Sequence, residues 1–122
     1  MGEAGDVAME VLFASVPVAN LEAAVPWYES LFGRAPDIVP NENEVMWRVT
    51  ESGWLYVIWD SERAGQTVVT ISVADLERSV EELAGRGLRP GPIEAVGEAG
   101  RKSTSVDLDG NAISLIEVGS SR

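Results

Sequence analysis

The feature that most constrains this chain is an internal repeat. Val18-Ala19-Asn20-Leu21-Glu22 returns 55 residues later as Val73-Ala74-Asp75-Leu76-Glu77. A short strand-like run precedes each copy, Val11–Val16 and Thr67–Ser72, rich in β-branched and apolar residues. Asn20 and Asp75 then stand where a helix N-cap belongs, because their side chains can accept from the first free backbone N–H groups. The first helix is predicted over Leu21–Phe32, with Leu21, Ala24, Val25, Tyr28, Leu31 and Phe32 on one stripe and Gly33 as its stop. Pro26 lies inside it and should kink it. The second helix is predicted over Leu76–Arg86, with Leu76, Val80, Leu83 and Ala84 inward and Gly87 as its stop.

Three short extended segments follow each helix. In the first half they are about Asp37–Val39, Val45–Thr50 and Trp54–Trp59; in the second, Ile93–Val96, Lys102–Val106 and Ala112–Val118. Turn-forming residues separate them, and Asp60–Gln66 is a polar linker. Each half therefore reads β-α-β-β-β. One such half cannot both cover its sheet and protect its edges, so the two are expected to pair. This gives an α+β domain over residues 9–118, made of modules 9–60 and 67–118.

Composition narrows the chemistry. A chain of 122 residues forms one domain with a core. There are no cysteines, so disulfides, thiolate metal sites and a cysteine nucleophile are excluded. There are no histidines either, which removes the commonest transition-metal ligand and the commonest general base but leaves open a purely carboxylate magnesium or calcium site. Nine Lys and Arg stand against twenty Asp and Glu, a net charge of −11. No basic run is present to meet nucleic acid. No apolar run approaches the ~20 residues needed to cross a bilayer. The acidic start, Met1–Asp6, has no signal-peptide pattern, and a cytoplasmic protein is expected.

Two motifs then suggest a family. Val18–Glu22 followed by Trp27-Tyr28-Glu29-Ser30-Leu31-Phe32-Gly33 resembles the opening of vicinal oxygen chelate modules. Asp107-Leu108-Asp109-Gly110-Asn111-Ala112-Ile113-Ser114-Leu115-Ile116-Glu117 resembles their closing motif. Both occur in order around the repeated pattern, across nearly the whole chain. The resemblance to this glyoxalase, bleomycin-resistance and dioxygenase superfamily implies an open eight-stranded cup with helices on its convex face. It also implies a ligand, and usually a metal, inside. The family's metal ligands, typically two His and two Glu, come from the first and last strand of each module. Carried onto this sequence, those positions are Phe13, Tyr56, Val68 and Ser114. Phe and Val have no donor atoms, and neutral Tyr and Ser are poor ligands for a divalent ion. The resemblance therefore implies a member with no metal and no cofactor.

Strand alternation predicts the cup lining. Phe13 and Ser15 share a face, as do Trp54, Tyr56 and Ile58, and Val68 and Thr70, with Ser114 at the end of the second module. If Ser52-Gly53 is a two-residue turn, Trp47 also points into the cup; a three-residue turn puts Arg48 there instead. Trp27 is assigned to the core, and Trp59 to the face that meets the helices. Glu42, Glu44, Glu51 and Asp60 fall near strand ends at the expected mouth, where a solvated carboxylate is the ordinary reading.

The function expected is small-molecule binding, such as sequestration of an antibiotic or another aromatic or cationic ligand, by a homodimer. The alternative is a metal-independent lyase or isomerase using Tyr56, Ser114 or a cavity carboxylate; a third is a silent scaffold. No residue pair demands catalysis, so the chain reads as a binding protein rather than an enzyme.

Overall fold

In the computed structural model, which describes residues 7–119, each half of the chain is a four-stranded sheet backed by one helix. The acidic start, Met1–Asp6, lies outside the described residues. The first module runs β1 (Leu12–Val18), α1 (Leu21–Phe32), β2 (Ile38–Asn41), β3 (Glu44–Thr50) and β4 (Gly53–Trp59). The second runs β5 (Val68–Ser72), α2 (Leu76–Gly85), β6 (Glu94–Val96), β7 (Gly100–Val106) and β8 (Ala112–Val118). The strand orders match, β1-β4-β3-β2 and β5-β8-β7-β6. In each module the first strand lies parallel to the last, and the other pairs are antiparallel. A parallel pair needs a long crossover. Here the helix and two strands supply it.

The repeated pentapeptide works as a helix start. Asn20 accepts from the Ala23 amide at 3.1 Å, and Asp75 accepts from the Arg78 amide at 3.1 Å. Gly33 ends α1 with φ of 76°, a left-handed geometry that costs glycine little. Pro26 lies inside α1, yet the helix continues without interruption from Leu21 to Phe32. Pro26 is exposed, so its ring meets solvent rather than the core.

Alternation then decides the layers. Val16 and Val18 of β1, Val45 and Trp47 of β3, and Leu55 and Val57 of β4 point to α1 and are buried. Ile113 and Leu115 of β8 do the same beneath α2. Ala24, Tyr28 and Leu31 of α1 join Leu76 and Leu83 of α2 in one continuous apolar cluster with them. The helices therefore share one side of the molecule, and the opposite sheet faces form the cup.

The closing Asp107–Asn111 turn fastens the modules together. Asp107 Oδ1 accepts from the amides of Asp109, Gly110 and Asn111 at 2.9 to 3.0 Å, which fixes the turn. Its Oδ2 accepts from the Tyr28 hydroxyl of the first module at 2.7 Å. Asn111, fully buried, donates to the Pro17 carbonyl at 2.9 Å and accepts from the Thr67 amide at 3.0 Å. Gly65 in the linker has φ of 85°, and a Cβ there would lie 2.3 Å from the Asp109 carbonyl oxygen. Arg86, after α2, donates from Nε to the Ser30 carbonyl at 2.5 Å. The two sheets thus behave as halves of one cup, though no hydrogen-bonded ladder joins them among the described residues.

Candidate functional site

The cup face is built in matched rows. Phe13 pairs with Trp54 and Ser15 with Tyr56 along β1 and β4. Val68 pairs with Ala112 and Thr70 with Ser114 along β5 and β8. Residues in register on parallel strands point the same way, so these side chains share the face opposite the helices. Phe13 and Trp54 stack with centroids 6.4 Å apart and planes 29° apart, within the range of attractive ring pairs. Phe13 is 52% exposed and Val68 is 73% exposed, so the centre of this face is open. Ile58 continues the β4 row and is half-buried.

Trp47 is not on this face. It is fully buried among Tyr28 and Phe32, with centroids 6.1 and 5.3 Å away, and its indole N–H donates to the Arg34 carbonyl at 3.0 Å. The cause is a register shift. Thr50 pairs with Gly53 across a Glu51-Ser52 turn, but Arg48 pairs with Trp54. Val49 is thus an extra residue on β3, and one extra residue exchanges the two faces of everything before it. The cup positions on β3 fall instead to Glu44, Met46 and Arg48, opposite Ile58, Tyr56 and Trp54. The Arg48 guanidinium folds back on the hairpin, with Nε donating to the Glu51 carbonyl at 3.0 Å.

Ser114 reaches the cup side but is buried, and its hydroxyl is shared with Thr104 at 2.7 Å. Lys102 and Thr104 of β7, opposite Ile116 and Ser114, complete that half. Sequence alternation could have included both, because they are two residues apart on a predicted strand. Trp27 packs edge-on against Tyr28 at 4.7 Å, whereas Trp59, at the end of β4, is 54% exposed.

The two walls differ in chemistry. The four Trp, two Tyr and two Phe of the chain all fall between Phe13 and Trp59, in the first module. The second module presents Thr70, Ser72, Thr104 and Ser114, hydroxyl groups among small aliphatic side chains. Trp54 and Thr70 also border a cavity of about 300 Å³ between the modules.

The side chains at the four positions that the family resemblance marks as metal ligands do not fit a divalent ion. Of these, Phe13, Tyr56, Val68 and Ser114, two have no donor atom and one is a buried hydroxyl already bonded. Among the described residues no three acidic side chains are grouped closely enough to hold an ion. Burial, and then acceptance of its proton by Asp107, push the Tyr28 phenol above its ordinary value, so it stays a donor. That tyrosine lies on the helix side and is structural.

No family model matches the sequence, and no curated protein matches it. Solved structures do. A glyoxalase / bleomycin resistance protein from Catenulispora acidiphila is 35% identical, over 91% of this chain and 100% of that one, with a TM-score of 0.85. An antibiotic binding protein from Streptomyces sp. CB03234 is 20% identical over 93% of this chain and 99% of its own, with a TM-score of 0.74. A bleomycin-binding protein from Streptomyces verticillus, solved with copper(II)-bleomycin, is 18% identical over 93% and 99%, with a TM-score of 0.75. The last two likenesses concern the fold alone.

Proposed function

Since the chain belongs to the glyoxalase/bleomycin resistance protein family, we propose that it is a metal-free binding protein whose cup holds an aromatic antibiotic-like small molecule. The observation that carries this is the Phe13–Trp54 stack, with Phe13 exposed, on a face where Phe13 and Val68 stand at positions the resemblance marks as metal ligands. Tyr56, Ile58, Val68 and Thr70 extend the contact surface, with Ser15 beside Tyr56. A planar ligand stacked there gains about 0.5–1.5 kcal/mol per ring pair beyond the burial of its surface. The reading includes a homodimer. A cytoplasmic setting belongs to the same proposal. No helix among the described residues is long and apolar enough to cross a membrane.

The test is titration with bleomycin and with the planar cation proflavine, followed by tryptophan quenching. Saturable binding that survives a chelator is expected. Phe13→Ala and Val68→Lys should each weaken it about tenfold, or ~1.4 kcal/mol. Absence of saturable binding, or binding that needs a divalent ion, would sink the proposal. Chelator-resistant turnover that disappears in Tyr56→Phe would replace it with the enzyme reading. Sedimentation of the ligand-free protein checks the dimer.

A further inference from the structure

We infer that the seam between the modules is a second binding site, for an uncharged compound of about two aromatic rings, which shares Trp54 and Thr70 with the open cup face. The inference does not depend on what the cup face binds. The inner edges of the sheets, β1 and β5, are held together where the Thr67 hydroxyl donates to the Ser15 carbonyl at 3.3 Å. Toward Leu12 on one strand and Ser72 on the other, a cavity of about 300 Å³ lies between them. Its floor is Ala14, Leu55, Val69 and Ile71, all on the helix side of their sheets. Trp54 forms one wall. Thr50, Thr70 and Ser72, which are exposed, carry hydroxyls at the mouth.

Three properties select the ligand. The volume sits at the small end of the roughly 300–1,000 Å³ typical of ligand pockets, which suits a fused bicyclic ring and excludes a large glycopeptide. No charged side chain lines the cavity, so a buried ion of either sign would lack a partner. The chain's charge of −11 further disfavours an anion. Trp54 is held by its stack on Phe13, so it offers a fixed aromatic wall rather than a mobile side chain. The polar groups are hydroxyls at the rim, placed for one hydrogen bond to a ring substituent. A guest seated on the Ala14, Leu55, Val69 and Ile71 floor removes apolar surface of both partners from water.

The probe is N-phenyl-1-naphthylamine, a neutral naphthylamine whose emission rises when it leaves water. We expect one saturable site per chain with quenching of tryptophan emission. Ser72→Phe, at an exposed rim position that leaves the core intact, should weaken the probe at least tenfold. Ala14→Leu, which fills the floor, should do the same. Val68→Lys, on the open face, should leave the probe unchanged. The sulfonated analogue 8-anilino-1-naphthalenesulfonate should bind at least tenfold more weakly. No probe binding, indifference to both filling variants, loss on Val68→Lys, or equal affinity for the sulfonate would each overturn the inference. If bleomycin and proflavine fail to bind while Ser72→Phe still blocks the naphthylamine, the cup-face proposal falls and this one stands.

Discussion

Asn111 uses its whole side-chain amide: Nδ2 donates to the Pro17 carbonyl across the junction between the modules and to Asp107 within its own turn, and Oδ1 accepts from the Thr67 amide. Asn111→Ala leaves the buried Pro17 carbonyl and the half-buried Thr67 amide without this partner, and we expect a loss of roughly 2–3 kcal/mol, read from urea unfolding. A loss below about 0.5 kcal/mol would mean that water replaces the amide. This role was not legible in the sequence. The closing motif could be recognised by resemblance, but only the structure shows that it reaches across to Pro17 and Tyr28. Trp47 teaches the same lesson from the other side. Its strand was legible, but the face depended on a single extra residue, Val49, that no composition or alternation signal marks. Alternation grouped Phe13 with Ser15 and Val68 with Thr70, the family resemblance named their face as the cup side, and β1, β4 and β5 run without such a shift.

The elements were the more legible level. Caps and apolar stripes are local signals, and both helices start within a residue of Asn20 and Asp75. Pro26 lies inside α1, which runs from Leu21 to Phe32. At that position the Glu22 carbonyl has no helical donor. Pro26→Ala restores one on the exposed surface, and we expect a gain of about 1–3 kcal/mol, checked by thermal unfolding. The second helix depends on a carboxylate from another element. Glu117 of β8 accepts from the Leu76 amide at 2.9 Å and pairs with Arg101 at 3.1 Å. These bonds, the amide first, hold its carboxyl below the ordinary glutamate value. A lowered folded value means that the contribution is complete above the unfolded value, near 4.3, and is lost as pH falls through the folded one. Glu117→Gln should therefore lower stability at neutral pH and flatten its decline below about pH 4.5. An unchanged acid limb in the variant would refute this.

For the whole molecule, the arrangement of modules was legible only as a requirement that they pair. How they pair rests on contacts between residues far apart in the chain, such as Tyr28 with Asp107. Those contacts and the shared apolar cluster imply one cooperative unit. The tryptophans test it directly. Trp27, Trp47, Trp54 and Trp59 all report the first module, whereas far-ultraviolet circular dichroism reports both. The two signals should trace one unfolding curve in urea; separate midpoints would show modules that melt independently. The same distribution of rings has an evolutionary consequence. The repeated fold leaves two walls in separate stretches of one sequence, one bearing rings and one bearing hydroxyls. Under the proposed binding role, changes that retune ligand shape and changes that retune ligand polarity would fall in different halves of the coding sequence.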